Sequence, residues 1–208
     1  FDLIILSPGI DINKCELNKF LKKNLKIIYT DLDIFYTFYQ NKCITITGTN
    51  GKSTTCQLLY EVLKKQGFDV KLAGNIGYPI LSIKNIKRRS IFVIEASSYQ
   101  LDYSKLFNSK YAAILNISPD HLERHKTLKN YISAKFNIIK NQKKNSIAFI
   151  NKHDEHIKKK IKKDTYKSRL IKVNTRISNK LLKVFKNNYF LSSSNRENLS
   201  FVLEISKK

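Results

Sequence analysis

Apolar residues in this chain fall into two alternating patterns. Short, largely β-branched runs occupy residues 2–7, 26–29, 43–47, 70–73, 91–95, 111–117, 146–150 and 170–173. Such runs, without polar alternation, read as strands covered on both faces. Between them, segments 13–23, 32–40, 53–65, 127–140, 153–163 and 195–207 carry apolar residues at helical spacing. Residues 181–191 add a further strand or hairpin. Strand–helix alternation predicts an α/β fold: a mostly parallel sheet with helices on both faces. Pro8-Gly9 closes the first strand, and a boundary is expected near Asn41-Lys42. Residues 1–42 hold only two strand–helix units, and are expected to be the remnant of an N-terminal Rossmann-like domain. Residues 43–208 are expected to form a central domain. No internal repeat is present.

The strand at 43–47 runs into Gly48-Thr49-Asn50-Gly51-Lys52-Ser53-Thr54 and then a helix. The glycines let backbone N–H groups approach phosphate oxygens. The helix N-terminus and Lys52 add positive charge, and Ser53 or Thr54 offers a hydroxyl suited to Mg²⁺. This P-loop departs from G-x-x-x-x-G-K-[ST], because Ile46 stands where the first glycine belongs.

Three more polar clusters follow predicted strands: Gly74-Asn75-Ile76-Gly77, Glu95-Ala96-Ser97-Ser98-Tyr99-Gln100 and Asn116-Ile117-Ser118-Pro119-Asp120-His121. Each has a local explanation as a turn or helix cap. Together they line the carboxyl edge of one sheet, where open α/β folds bind ligands. Glu95, ending an apolar strand, suits a Mg²⁺ ligand. His121 suits a second metal or a substrate group, whereas His125, His153 and His156 read as surface residues.

Composition changes this picture little. The formal net charge is +23, but the lysines are spread through the whole chain with many Asn and Ile, and Lys158–Lys163 reads as a solvated helix face. Nucleic-acid binding is not expected. Cys15, Cys43 and Cys56 are too few and too dispersed for a disulfide framework or zinc site, and read as buried thiols. No apolar run is long enough to span a bilayer and no signal segment opens the chain, so a cytoplasmic location without membrane contact is expected. The chain begins at Phe1 and contains no Met, so a piece of a longer protein is expected.

The motifs, in this order, resemble the Mur ligases, ATP-dependent amide-forming enzymes of peptidoglycan synthesis. Thr47–Thr54 matches that family's ATP loop, which also lacks the first glycine. Gly74–Pro79 looks like G-N-I-G-x-P. Glu95–Leu101 looks like E-L-S-S-F-Q-L, the form typical of the member that adds D-glutamate, and Ser7-Pro8-Gly9-Ile10 fits that member too. Asn116–Leu122 matches N-I-x-x-D-H-L, and Tyr131, Ala134, Lys135 and Ile138 match Y-x-x-A-K-x-x-I. Asn195–Asn198 resembles H-N-x-x-N, with Ser194 replacing the histidine.

The resemblance implies ATP, UDP-N-acetylmuramoyl-L-alanine and D-glutamate as partners, an acyl-phosphate intermediate, and a monomer. It implies that Gly48, Thr49, Asn50, Gly51, Lys52, Ser53 and Thr54 hold ATP phosphates, with Asn198 toward adenine. Ser53 and Glu95 would hold one Mg²⁺, and His121 and a carbamylated Lys135 the other. Lys52, Glu95, His121 and Lys135 would be catalytic, and Asn75, Ser97, Ser98, Gln100 and His121 would lie along the muramoyl substrate. In the family, a C-terminal domain binds the amino acid; here it is expected to be absent, leaving an inactive fragment. Alternatives are another Mur ligase, a folate polyglutamate ligase, whose loop usually continues G-K-G-S, and a basic nucleotide- or nucleic-acid-binding module.

Overall fold

The computed structural model describes residues 1–177, 189 and 192–208. Its body is a parallel six-stranded sheet. The strands are β3 (Cys43–Thr47), β4 (Val70–Gly74), β5 (Ile91–Glu95), β6 (Tyr111–Ile114), β7 (Ile147–Asn151) and β8 (Arg169–Val173), in spatial order β4-β5-β3-β6-β7-β8. Every pairing in it is parallel. The α/β expectation is borne out. A smaller parallel pair, β1 (Ile4–Ile5) with β2 (Ile28–Tyr29), precedes it.

Alternate strand residues feed two cores, one on each face. Phe92, Ile94, Ala112, Ile114, Ala148 and Ile150 point one way. They meet α2 (Asp31–Phe38), α4 (Ser98–Tyr103), α6 (Leu128–Lys140) and α7 (Glu155–Lys163). Ile44, Ile46, Val93, Ala113 and Phe149 point the other way, against α3 (Lys52–Lys65) and α8 (Ser193–Ser206). Two-sided burial is why β3 and β5 are apolar or β-branched until each strand's end.

Local boundaries differ from the sequence reading in places. The helix expected over 13–23 forms only as α1 (Asn18–Lys23), because turns occupy the residues before it. The strand expected over 111–117 ends at Ile114, where the chain leaves the sheet toward the phosphate loop. A short helix α5 (Leu122–His125) stands before α6. Cys43 and Cys56 are buried, as expected, but Cys15 is half-buried. The strand or hairpin expected over 181–191 lies outside the described residues, Tyr189 excepted.

Beside the first β pair, Leu6, Ile12, Leu21 and Ile28 form their own small cluster, whereas Leu32 and Phe35 of α2 belong to the central core. Buried Asp33 fixes α2 there. One of its oxygens accepts from Ser104 Oγ and from the main-chain N–H groups of Lys105, Leu106 and Phe107 at 2.8–3.0 Å. The Lys105 ammonium donates back to the Leu25, Lys26 and Ile28 carbonyls. Among the described residues, no helix is long and apolar enough to cross a membrane.

Candidate functional site

The order of strands reverses at β3: the chain builds β4 and β5 on one side of it, then β6 to β8 on the other. Such a reversal opens a crevice beyond the carboxyl ends of the strands. The strand ends are level. Ile46 pairs with Glu95, Thr47 with Ile114, and Gly74 with Glu95. All four polar clusters therefore reach one rim.

The phosphate loop leaves β3 and enters α3 through Gly51, at φ +80. Only glycine adopts this conformation cheaply, and a Cβ here would stand 2.2 Å from Asn198 Oδ1. The helix that follows has no side-chain cap and no acidic residue in its first turn, and it begins with a lysine. A cation at this end opposes the helix dipole. Five other helices, α2, α4, α6, α7 and α8, start on side-chain caps or capping boxes. The first intrahelical bond of α3 is Thr55 N–H to Gly51 O, at 2.9 Å. The N–H groups of Lys52, Ser53 and Thr54 precede it and point off the helix end. Thr49 and Asn50 differ: their N–H groups already donate to the main-chain oxygen and Oδ1 of Asn116, at 3.0 and 2.9 Å. These two residues brace the loop.

Glu95 is 1% exposed, yet both its oxygens face polar partners. Ser53 Oγ donates to Oε2 at 2.7 Å and Asn75 Nδ2 to Oε1 at 2.8 Å. By sending its proton to Glu95, Ser53 leaves its lone pairs facing elsewhere. Gly74, at φ +101, lets β4 close on Glu95: a Cβ there would meet the Glu95 carbonyl at 2.2 Å.

Two lysines share one acceptor. Lys52 Nζ donates to Gly48 O and Thr49 O, and Lys135 Nζ to Gly48 O at 2.8 Å. Lys135 is 2% exposed. Burial, and then the charge of Lys52, push its ammonium down to about 7, against the pull of Asp120 and Glu95. Its Nζ lies 4.6 Å from the Tyr131 ring. The Tyr131 hydroxyl bonds Thr49 Oγ1 at 3.1 Å.

His121 has φ +53, a strained value for a residue with a side chain, and its side chain is 44% exposed. Its ring lies 5.0 Å from that of Tyr99 and 6.3 Å from that of Tyr131. Its nitrogens face Asp120 at 3.4 Å and Glu123 at 3.7 Å. Lys52, Ser53, Glu95, Asn75 and Lys135 thus meet around one loop, and His121 stands at its edge beyond Tyr131.

Other expected residues are engaged within the fold. Ser97 caps α4 and Gln100 completes the capping box, its amide donating to Asp31 Oδ2 at 2.8 Å. Ser98 Oγ bonds His125 Nε2 at 3.0 Å. His125 corrects the surface expectation: it is buried, stacked on Tyr99 and edge-on to Tyr131. His153 and His156 are partly exposed. Asn198 is buried against Gly51. Glu197, absent from the sequence reading, accepts amide donors from Asn116 and Asn151, both at 3.0 Å. Burial raises its carboxyl above the ordinary range. Its only sequence signal is its place inside Ser194-Asn195-Arg196-Glu197-Asn198. A separate cavity of about 600 Å³ beside β4, lined by Tyr60, Leu72, Tyr78 and Lys84 among others, contains none of these site residues.

The donor set fits Mg²⁺. That ion needs one or two carboxylates plus water and phosphate oxygens, and Ser53 with Glu95 supplies a hydroxyl and a carboxylate. Among the described residues, no cluster of three His, Cys, Asp or Glu could cage a metal with protein alone.

The Mur ligase middle domain matches residues 46–206. The UDP-N-acetylmuramoylalanine–D-glutamate ligase of Caldicellulosiruptor bescii is 45% identical over 141 residues, 67% of this chain and 31% of that protein. The Rickettsia bellii enzyme of the same name is 44% identical over 152 residues, 72% of this chain and 33% of that protein. The chain thus spans about a third of the length of these relatives. Among solved structures, a Neisseria meningitides UDP-N-acetylmuramate:L-alanyl-gamma-D-glutamyl-meso-diaminopimelate ligase overlays with a TM-score of 0.69 at 14% identity. It covers 99% of this chain and 74% of its own. MurF ligase from Thermotoga maritima, solved with ADP, overlays with a TM-score of 0.52 at 18% identity, covering 82% of this chain and 47% of its own. With its phosphate loop, level strand ends and matched middle domain, this chain belongs to the Mur ligase family.

Proposed function

We propose that this chain forms the ATP-binding core of a ligase that joins D-glutamate to UDP-N-acetylmuramoyl-L-alanine in peptidoglycan synthesis. The carrying observation is the convergence of Lys52, Ser53, Glu95 and Lys135 around an uncapped helix end. The relatives' names support the substrate pair, and the ADP in the Thermotoga neighbour supports the nucleotide.

Phosphoryl transfer needs alignment and charge neutralisation more than a protein nucleophile. The N–H groups of Lys52, Ser53 and Thr54 would receive phosphate oxygens, and Lys52 would turn from its own loop carbonyls to the transferring phosphate. Ser53 and Glu95 would hold Mg²⁺; when bound, it screens the phosphate charge that otherwise repels an attacking carboxylate. The substrate carboxylate displaces ADP at the γ-phosphorus, giving an acyl-phosphate. The D-glutamate amine then forms the amide, releasing phosphate. Asn75 and His121 would lie along the muramoyl group, and residues 1–42 would belong to its UDP-binding domain.

Lys135 would act as a carbamate. With its ammonium pushed down to about 7, a large share is free amine at neutral pH. Attack of that neutral amine on CO₂ forms an N–C bond as one C=O π bond opens, and releases one proton, so that with the proton already lost from the ammonium a buried cation becomes an anion that suits a second metal beside His121. ¹³C-bicarbonate should give a carbamate carbon signal that Lys135→Ala abolishes; its absence from wild type rules this role out. For the core reading, Lys52→Ala should keep the fold and weaken Mg·ATP binding at least about tenfold, as for loss of one charge-assisted phosphate contact. Unchanged ATP affinity in that variant, with nucleic-acid binding that falls steeply with salt, would favour the nucleic-acid module instead.

A further inference from the structure

One side chain, Asn116, connects α8 to the phosphate loop. Asn116 Oδ1 accepts the Asn50 N–H at 2.9 Å, and Asn116 Nδ2 donates to the Asn50 carbonyl at 3.2 Å. The N–H and the carbonyl of Asn50, which belong to successive peptide units, are therefore both held by one side-chain amide. An amide can also sit flipped, with nitrogen and oxygen exchanged, and the flip is decided by its neighbours. Here the Asn50 N–H and carbonyl set the orientation, and Glu197 adds a third anchor. Its Oε1 accepts the other Nδ2 hydrogen of Asn116 at 3.0 Å, and a carboxylate only accepts. A flipped Asn116 would set oxygen against that carboxylate and NH₂ against the Asn50 N–H. Asn151 Nδ2 donates to the same Oε1 at 3.0 Å and to Leu115 O at 3.0 Å, tying the carboxylate to the ends of β6 and β7. The next residue, Asn198, packs on Gly51 at the start of α3.

We propose that Glu197 is a positioning residue of the nucleotide site: it anchors the Asn116 side chain in place, and through Asn116 the shape of the phosphate loop. The inference rests on the ATP reading above. Without the carboxylate, Asn116 loses one of its three anchors, its hold on Asn50 loosens, and the N–H groups at Lys52 to Thr54 lose their alignment toward phosphate. A structural filler alone would lower the melting temperature and leave the loop's hydrogen bonds and ATP affinity in step with wild type.

The experiment follows amide hydrogen exchange and calorimetric Mg·ATP titration in the 208-residue chain. In Glu197→Ala, the Asn50 amide should exchange about tenfold faster while the Thr55 amide is unchanged, and the Kd for Mg·ATP should rise about tenfold, the effect of losing one hydrogen bond to a charged group. Glu197→Gln keeps an accepting oxygen and should restore both to within about threefold. Should Glu197→Ala fail to fold, Glu197→Met, of similar volume and without that acceptor, carries the same test. An Asn50 amide as protected as in wild type overturns the inference, and so does a faster amide with unchanged ATP affinity. Wild type that binds no Mg·ATP overturns the nucleotide reading instead, while the amide result still judges the lock.

Discussion

Replacing Glu95 by Gln separates the cost of burying a charge from the value of having it. The carboxylate is almost wholly enclosed and accepts one bond from Ser53 and one from Asn75. Bonds to a charged acceptor contribute about 1.5–3 kcal/mol, and neutral ones about 0.5–1.5. The change therefore removes about 1 kcal/mol per bond, or about 2 in all. Ser53 can reverse its hydroxyl and accept from the new NH₂, which limits the loss further. Against this, the effective cost of burying an ion is several kcal/mol. Glu95→Gln should thus fold with a stability within about 2 kcal/mol of wild type, on either side. The functional loss should be selective. The variant lacks the anionic oxygen proposed for the metal, so Mg²⁺ should no longer strengthen ATP binding, while binding without Mg²⁺ should hold or improve. Calorimetric titration of ATP with and without Mg²⁺, beside urea melts, reads both quantities. A variant in which Mg²⁺ strengthens ATP binding as much as in wild type refutes the metal role. One that loses much more than 3 kcal/mol shows that Glu95 serves mainly to hold the strand ends together.

Lys126 occupies the centre of a γ-turn, with φ +66, ψ −38 and Thr127 N–H donating to His125 O at 2.8 Å. Such turns are strained for any residue with a Cβ, at about 1–3 kcal/mol, and glycine's greater unfolded freedom returns about 0.5–1. Lys126→Gly should therefore raise the melting temperature by about 2–4 °C, and a decrease counts against the strain argument. His125 is held neutral: burial, then the charges of Arg124 and Lys135, push it down to about 4. Its folded pKa lies below the unfolded value of about 6.5, so its share of stability is complete above pH 6.5 and falls as pH drops toward 4. The slope from this group is at most about 1.4 kcal/mol per pH unit. Urea melts of His125→Gln should show a flatter acid limb than wild type, and an equal slope removes His125 as the cause. Gly51→Ala must place a methyl against Asn198 and hold φ at +80, so it should lose about 1–2 kcal/mol and most ATP affinity; unimpaired ATP binding would mean that the loop tolerates another shape.

The sheet was legible because its strands are buried on both faces: β3 and β5 begin and end where their apolar runs do. The phosphate loop was legible because its chemistry is local, a glycine turn followed at once by Lys52 and Ser53. Where contacts cross the sequence, reading failed in proportion to the distance. His125 looks like a surface histidine beside Arg124 and Lys126, and nothing nearby in the chain announces that Ser98, Tyr99 and Tyr131 enclose it. The sequence reading carries the strand past Ile114 because Leu115 and Ile117, on either side of Asn116, are as apolar as the strand itself; this segment leaves the sheet, and Asn116 reaches the loop. Glu197 carries no local signal of its role: it lies past the first turn of α8, where an acidic residue reads as an ordinary helical position. Glu197 bonds Asn116, 81 residues earlier, and Asn151, 46 residues earlier. Residues that touch a ligand fall into short motifs because the ligand gathers them beside one loop. Residues that only hold such a loop in place answer to the fold, and their partners become visible when the strand ends are set side by side.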